Sequence, residues 1–231
     1  TIEKTIKSVI DQSYNNLEYI IVNGASTDGT DNIVKKYINQ INKYICESDQ
    51  GIYDALNKGI NSATGDIIGL LHADDQFYSL NTVQKIVQAF KLTESDSIYG
   101  NGLYTSKFNS ERIIRNWISG EFSYNKLRKG WMPLHPTFYA KKHIYQKFGQ
   151  FDCQYKISAD YDLILRFLWD KKISVAYLNE YLISMNMGGI STSPKSFFVK
   201  WKEDASIMKK HGINPFIGLS YKNLSKLKQF V

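Results

Sequence analysis

Cysteine is scarce in this sequence, and long apolar runs are missing from it. The 231 residues include two cysteines, Cys46 and Cys153, which lie far apart and form no CxxC motif. We therefore expect no disulfide framework, and the simplest interpretation is a reduced, cytoplasmic protein. No apolar stretch approaches the roughly 18 residues that a spanning helix needs, and no signal-peptide pattern is visible at the start.

The composition is that of an ordinary globular protein. Hydrophobic residues make up 43% of the chain and charged residues 22%, so a sizeable core is expected. The length suits one mixed domain with a small extension. We assign the domain to residues 1–211 and a basic C-terminal extension to residues 212–231.

The net charge of +7 is compatible with an anionic partner. Nucleic acid, an anionic membrane surface and a phosphorylated small molecule all carry the complementary charge. The 16 tyrosines and 4 tryptophans are spread along the chain without the pattern of a recognition module, so no nucleic-acid partner is expected.

Hydrophobic periodicity predicts an α/β fold. Two short apolar runs, Leu17–Val22 and Ile67–Leu71, are typical of strands buried on both faces. They alternate with segments of helical periodicity, which indicates a Rossmann-like, mostly parallel sheet flanked by helices. Because such a fold usually begins with a strand, we expect one before Thr1. Helical spacing of apolar residues covers approximately residues 2–10, 33–41, 52–63, 80–90, 160–170 and 197–210.

Polar clusters follow both apolar runs, at the sheet edge where ligands of parallel sheets bind. Asp74 and Asp75 come directly after the second run. Adjacent carboxylates attract a hard divalent cation, which prefers oxygen ligands and is commonly shared with a substrate diphosphate. A solvated turn is the alternative, since aspartate is frequent in turns.

The first polar cluster is NGASTDGT, residues 23–30. Small and polar residues at a strand end let a flat base or a ribose approach the backbone closely. Capping of the next helix by Thr27 or Asp28 is the alternative. We expect a structural role for Asp28 in either case.

A third cluster, SADYDL at residues 158–163, opens a predicted helix with Arg166 just beyond it. Asp160 and Asp162 are two positions apart, so they point in different directions on a helix. One can face a cleft while the other faces solvent or Arg166. The helix dipole alone would also favour carboxylates at this end.

In combination, these segments resemble the family 2 glycosyltransferases of bacterial surface-polysaccharide synthesis. The resemblance runs from Thr1 to Arg166 and is carried by VNGASTDGT, ESDQGIYDALNKGINSATGDIIGLLHADD, HPTF and SADYDLILR, in that order. It implies the GT-A fold, a nucleotide-binding α/β sheet with an acceptor region in the second half. It also implies a metal-dependent, inverting hexosyltransferase that moves a sugar from a nucleotide-diphosphate sugar, with a UDP-sugar as the expected donor.

The resemblance assigns a role to each cluster. Asp160 matches the catalytic base, while Asp74 and Asp75 match ligands of Mn²⁺ or Mg²⁺. His135 and Asp162 fall on the side of the acceptor, expected to be a sugar or lipid-linked hydroxyl in polysaccharide or glycolipid synthesis. The residues implied for the nucleotide sugar are Asn23, Ser26, Asp28, Asp54, His72 and Asp74.

Three positions depart from the family pattern. Asn23 stands where aspartate is usual, His72 replaces the first acidic residue of the DxD motif, and Ala159 replaces an acidic residue before the base. These departures leave open a non-catalytic module that binds nucleotide sugars. A nucleotidyltransferase of related fold is a second alternative, although the Gly-rich phosphate loop of those enzymes is absent from this sequence.

The basic extension suggests a membrane contact. Lysines interspersed with apolar residues form interfacial segments that rest on anionic lipid. Our hypothesis is peripheral attachment to the inner face of a bacterial membrane, and a solvated helix is the alternative. The residues of this segment are Lys209, Lys210, Lys222, Lys226, Lys228, Phe216, Ile217, Leu219, Leu224, Leu227 and Phe230.

Overall fold

The computed structural model describes residues 1–106, 112–187 and 194–227. The helices in these ranges are α1 (Ile2–Ile10), α2 (Thr30–Lys35), α3 (Ile52–Ser62), α4 (Thr82–Thr93), α5 (Tyr124–Arg128), α6 (Lys142–Phe148), α7 (Ala159–Leu165), α8 (Pro194–Lys210) and α9 (Pro215–Leu227). The strands are β1 (Ile20–Asn23), β2 (Lys43–Cys46), β3 (Ile67–Ile68), β4 (Asp75–Phe77), β5 (Ser97–Thr105), β6 (Ile113–Trp117), β7 (Tyr139–Lys141) and β8 (Val175–Asn186). A π-helical turn, Arg166–Asp170, continues α7, and 3₁₀ turns cover Ile38–Gln40 and His135–Thr137.

The predicted alternation of helix and strand is confirmed in the first half of the chain. The second apolar run forms a shorter strand than predicted, because β3 ends at Ile68. At Gly69 the backbone passes so close to the ring of Tyr139 that a Cβ would collide with it. The chain leaves the sheet two residues into the apolar run and continues as an irregular segment toward Asp74.

The described strands form two sheets. Strands β1 and β2 make a parallel pair, and the larger sheet has the order β3-β7-β5-β8-β4, with β6 also on β5. In the larger sheet only β5 and β8 pair in parallel among the described strands; its other pairs are antiparallel. The sheet is thus mixed rather than mostly parallel. Apolar runs indicate burial on both faces but do not encode strand direction.

Strand β5 lies at the centre of the larger sheet, and each of its residues except Tyr104 is buried. Helix α7 and the π-helical turn pack in the largest core cluster, where Tyr161, Leu165 and Phe167 are fully buried. A smaller cluster joins α1 and α2 to β1 through Ile6, Ile21 and Val34. These two clusters fix the segments that follow β1 and β3 and the start of α7.

The C-terminal helices pack on the domain. Ile213 and Leu219 belong to the main core cluster, and Nζ of Lys222 lies 2.9 Å from Oδ2 of Asp204 on α8. Lys228 and Phe230 of the predicted interfacial segment lie outside the described residues, and so do the side chains of Leu224, Lys226 and Leu227. In the described ranges, no helix combines the length and apolarity needed to cross a membrane.

Candidate active site

The acidic pair lies on an irregular segment between β3 and β4 that is fixed from two sides. The hydroxyl of Thr5 on α1 donates to the carbonyl oxygen of Ala73 at 2.9 Å. Nδ2 of Asn186, at the end of β8, donates to the carbonyl oxygen of Asp74 at 3.0 Å. Asp75 then begins β4. Backbone contacts thus orient the two carboxylates and leave their oxygens available to a ligand.

The Asp75 carboxylate is desolvated and close to another negative charge. Burial raises its pKa to about 7, and the charge of Asp74 contributes in the same direction. No described residue forms a hydrogen bond or ion pair with either carboxylate. A desolvated carboxylate pair without a cationic partner has the chemistry of a site for a divalent cation.

The protein would supply few ligands to such a cation. The described residues contain no group of three or more His, Cys, Asp or Glu side chains that is arranged to hold a metal. The donor set therefore fits Mn²⁺ or Mg²⁺ bound by one or two carboxylates and completed by substrate phosphates and water, as is usual for Mg²⁺.

A pocket of about 430 Å³ lies beside the end of β1 and is lined by Asn23, Ser26, Asp28 and Asp74. Oδ1 of Asn23 accepts a hydrogen bond from the backbone N–H of Ser26 at 3.0 Å. Its Nδ2 donates to the hydroxyl oxygen of Tyr44 at 2.9 Å. The Asn23 amide thus holds the turn that forms the pocket wall, which offers small and backbone groups to a ligand.

Asp28 has the structural role expected from the sequence. Its Oδ1 accepts a hydrogen bond from the backbone N–H of Thr30, the first residue of α2, at 3.1 Å. Hydrogen bonds from Thr30 also lower the pKa of Asp28. The residue lines the pocket as well, so the two functions predicted for it are compatible.

A larger cavity of about 1180 Å³ is lined by His72, Asp74, Asp75, His135 and Asp160, among others. Asp74 and its neighbour Ala73 line both cavities. Residues of the three polar clusters therefore line two adjoining cavities, and Asp74 is common to both.

Asp160 reaches this cavity from an otherwise buried helix. The other residues of α7 are all buried, and the Asp160 side chain retains 13% exposure. Its Oδ2 lies 3.1 Å from Nδ1 of His135, and its Oδ1 lies 3.5 Å from the hydroxyl of Tyr53. A carboxylate in this setting can accept a proton from a ligand in the cavity.

His72 and His135 form a pair beside Asp160. Their Nε2 atoms are 3.4 Å apart, and the rings meet edge to face with centroids at 5.6 Å. Burial lowers the pKa of His72 to about 4, and the charge of His135 adds to the effect. Burial also lowers the pKa of His135, although Asp160 opposes this. The His72 ring is therefore neutral at pH 7.

Two predicted site residues do not line either cavity. The side chain of Asp162 is fully buried and contacts Nζ of Lys210 at 2.8 Å and Nε2 of His211 at 3.1 Å. Asp54 lies in the first turn of α3, where Oδ2 accepts from the backbone N–H of Gln50 at 3.0 Å. In this structure Asp162 links α7 to the end of α8, and Asp54 holds the backbone of Gln50 just before α3.

Arg115 lines the large cavity but belongs to no motif found in the sequence. The guanidinium of Arg115 on β6 stacks on the rings of Tyr104 and Trp117, at 5.1 and 4.3 Å from their centroids. All three residues line the large cavity. Alternation along the β5–β6 hairpin puts them on one face, but the sequence alone gave no register with which to find this.

The family model of Glycosyl transferase family 2 matches residues 1–153. The chain belongs to glycosyl transferase family 2. It is 26% identical over 193 residues to the PGL/p-HBAD biosynthesis glycosyltransferase of Mycobacterium bovis BCG, covering 81% of this chain and 73% of that protein. It is 30% identical over 198 residues to an uncharacterized glycosyltransferase of Rickettsia typhi, covering 82% and 61% respectively.

Solved structures confirm the predicted GT-A fold for this family 2 chain. S. aureus TarS 1–349 in complex with UDP-GlcNAc has a TM-score of 0.66 at 15% identity, over 90% of this chain and 62% of TarS 1–349. The mannosyltransferase PcManGT from Pyrobaculum calidifontis, in complex with GDP-Man and Mn²⁺, has a TM-score of 0.66 at 16% identity, over 96% and 64%. The chain thus spans less than two thirds of the length of either protein.

Proposed function

We propose that this protein is an inverting, metal-dependent glycosyltransferase that moves a hexose from a nucleotide-diphosphate sugar to an acceptor hydroxyl. The observation that carries the proposal is that Asn23 lines one cavity, Asp75 and Asp160 line the adjoining one, and Asp74 lines both. The polar pocket beside β1 is the place for the nucleoside, with Asn23, Ser26 and Asp28 in its wall. The sugar then extends past the acidic pair into the large cavity.

Asp160 serves as the general base. It takes the proton from the acceptor hydroxyl as that oxygen forms a bond to the anomeric carbon. The bond from the anomeric carbon to the diphosphate oxygen breaks, and its electron pair leaves with the nucleoside diphosphate. A single displacement of this kind inverts the anomeric configuration.

Asp75 and Asp74 are the residues that would hold Mn²⁺ or Mg²⁺. A cation bound there supplies Lewis acidity that offsets negative charge on the departing diphosphate. The desolvation of Asp75 supports this role, because a nearby cation would compensate a buried carboxylate that has no described protein partner.

A UDP-sugar is the proposed donor, and the TarS structure in complex with UDP-GlcNAc supports that choice. GDP-sugars are the alternative donors to test against UDP-sugars, because PcManGT was solved in complex with GDP-Man. Asn23 offers both a donor and an acceptor, but both are engaged by Tyr44 and Ser26, so backbone groups of the pocket would read the base.

A thermal-shift screen of UDP- and GDP-sugars, with and without Mn²⁺, tests the donor proposal, because a ligand that binds the folded form raises Tm. We expect a nucleotide sugar to raise Tm more with Mn²⁺ than without it, and to be turned over with release of the nucleoside diphosphate. Binding without turnover of any donor would instead favour a non-catalytic module. Absence of any nucleotide-sugar effect would contradict the proposal.

We extend the proposal to a lipid-linked acceptor reached through peripheral contact with an anionic membrane. We propose α8 for this contact, because two lysines of the predicted interfacial segment, Lys210 and Lys222, form ion pairs with Asp162 and Asp204. The first turns of α8 carry exposed Phe197, Phe198 and Trp201, which we call the α8 aromatic cluster. The exposed Val199 and Lys202 lie beside it. Aromatic and cationic side chains together suit the interface of an anionic bilayer.

The α8 aromatic cluster flanks Lys200 in the sequence. Lys200 lines the large cavity, and its Nζ lies 3.4 Å from Oγ of Ser158. Sedimentation with phosphatidylglycerol vesicles tests the contact. We expect the Phe198→Ser and Trp201→Ser variants to bind less than wild type, and Leu92→Ser, at a side chain 85% exposed on α4, to bind normally. Equal binding by all of these variants would contradict the proposed surface.

A further inference from the structure

The two oxygens of the Asp160 carboxylate have different surroundings. Nδ1 of His135 lies 3.1 Å from Oδ2, within hydrogen-bond distance. The hydroxyl of Tyr53 lies 3.5 Å from Oδ1, but it also lies 2.6 Å from the carbonyl oxygen of Ile157. A hydroxyl has one hydrogen to donate, and the shorter contact takes it. Oδ1 therefore keeps its lone pairs, whereas Oδ2 receives the imidazole.

The contacts of His135 determine its tautomer. A neutral imidazole has one N–H and one acceptor nitrogen. A carboxylate accepts only, so Nδ1 carries the hydrogen in its contact with Asp160. In the neutral ring Nε2 is then the acceptor nitrogen, and it lies 3.4 Å from Nε2 of His72.

The backbone of His135 is fixed independently of its ring. Leu134, Pro136 and Thr137 beside it are buried, and the hydroxyl of Thr137 donates to the carbonyl oxygen of Leu134 at 2.7 Å. The His135 side chain itself is 40% exposed, so core packing does not explain its orientation. Its specific contacts are those to Asp160 and His72.

We propose that His135 is a positioning residue that fixes the Asp160 carboxylate through Oδ2 and so leaves Oδ1 as the atom that takes the acceptor proton. This inference rests on the proposed function and deepens it. The hydroxyl proton passes to Oδ1 while the oxygen bonds to the anomeric carbon. Without His135 the carboxylate can rotate about χ2, and either oxygen can then be turned away from the acceptor.

The test compares His135→Ala with His135→Asn, with UDP-GlcNAc and Mn²⁺ as the probe and UDP release as the readout. Asparagine places an N–H donor where Nδ1 stands, so it preserves the contact to Asp160 but not the contact to His72. We expect His135→Ala to lower kcat by about 10- to 100-fold, the usual scale for a misplaced catalytic group. The Kd for UDP-GlcNAc should change less than about twofold, and His135→Asn should recover most of the kcat.

Matched variants separate positioning from loss of structure. His143→Ala removes another histidine, whose side chain is 57% exposed, and should leave kcat and Tm unchanged. Equal kcat for His135→Ala and wild type would overturn the inference, and so would equal losses in the alanine and asparagine variants. Asp160→Asn is measured in parallel: full activity of that variant would refute the base itself, whereas an inactive Asp160→Asn beside a fully active His135→Ala would refute only the positioning role.

A measurement that needs no substrate completes the test. The chain has 4 histidines, so their ¹⁵N side-chain signals can be assigned by single substitutions. We expect the signal of His135 at pH 7 to show hydrogen on Nδ1, and this preference to weaken in Asp160→Ala. Hydrogen on Nε2 of His135 in the wild type would overturn the inference.

Discussion

Oε2 of Glu203 accepts a hydrogen bond from the backbone N–H of Ser158 at 2.9 Å. The same carboxylate accepts from the N–H groups of Lys156 at 2.8 Å and Ile157 at 3.0 Å. Three consecutive donors before α7 thus converge on one side chain of α8, outside the residues matched by the family model. Helix α8 thereby fixes the loop that presents Asp160.

Replacing Glu203 by glutamine tests this dependence. The neutral amide keeps one oxygen and turns an NH₂ group toward a backbone donor. Because hydrogen bonds to a charged group are worth about 1.5–3 kcal/mol, we expect the free energy of unfolding to fall by about that amount. We also expect kcat to fall more than the donor Kd rises, since the affected loop carries Asp160 rather than the nucleotide pocket.

The matched control for that substitution is Glu94→Gln, at an exposed position after α4. Chemical denaturation and steady-state kinetics on both variants provide the comparison. If Glu203→Gln matched Glu94→Gln in stability and kcat, α8 would have no part in holding the loop.

The acidic pair predicts metal-dependent donor binding. Asp75→Asn removes the desolvated charge while keeping the shape of the side chain. Loss of a metal ligand, or of a residue that supports one, lowers metal affinity by at least about tenfold. We therefore expect the increase in donor affinity that Mn²⁺ provides to fall by at least about tenfold in this variant. Calorimetric titration with and without Mn²⁺ measures it, and Asp11→Asn, exposed at the end of α1, serves as the control. A metal response like that of wild type would rule Asp75 out as a ligand.

The buried Asp162 predicts a pH dependence of stability. Burial alone would raise the pKa of Asp162, but hydrogen bonds from His211 and Lys210 outweigh it and lower the pKa to about 2. The unfolded chain titrates near 3.8, so the folded state gains stability above that pH and loses it as the pH falls toward 2. The shift corresponds to about 2 kcal/mol at neutral pH.

Asp162→Asn should therefore destabilise the protein by about 2 kcal/mol or more at pH 7. The difference from wild type should shrink as the pH is lowered from about 4 to about 2. Urea unfolding across this pH range measures both quantities. A destabilisation that stayed constant through the acidic range would show that the Asp162 charge does not contribute.

Local patterns in the sequence predicted elements better than they predicted contacts. Helix α3 begins at Ile52 and ends at Ser62, close to the predicted range of 52–63, because its apolar face has clear helical spacing. Strand β3 ends at Ile68, and the next residue, Gly69, lies against the ring of Tyr139, which belongs to a strand far along the chain. Apolar periodicity also did not predict the antiparallel pairs β3–β7, β4–β8 and β5–β7, because these pairs join segments far apart in the chain.

The candidate site shows the same division. The sequence singled out Asn23, Asp74, Asp75 and Asp160, and in the structure they line two adjoining cavities that share Asp74. Helical spacing shows only that Asp160 and Asp162 point in different directions, so the assignment of Asp160 as the base came from the family resemblance alone. The contacts of Asp162 with Lys210, the last residue of α8, and with His211 just after it are tertiary contacts, and so are the three loop donors to Glu203.

The most direct test of the account is a comparison of Asp160→Asn with wild type in donor binding and in sugar transfer. Asparagine keeps the size of the side chain and removes its ability to take a proton. We predict that donor Kd in the presence of Mn²⁺ changes little, while the rate of transfer falls by about two orders of magnitude or more. Transfer at the wild-type rate by Asp160→Asn would contradict the assignment of this carboxylate as the base.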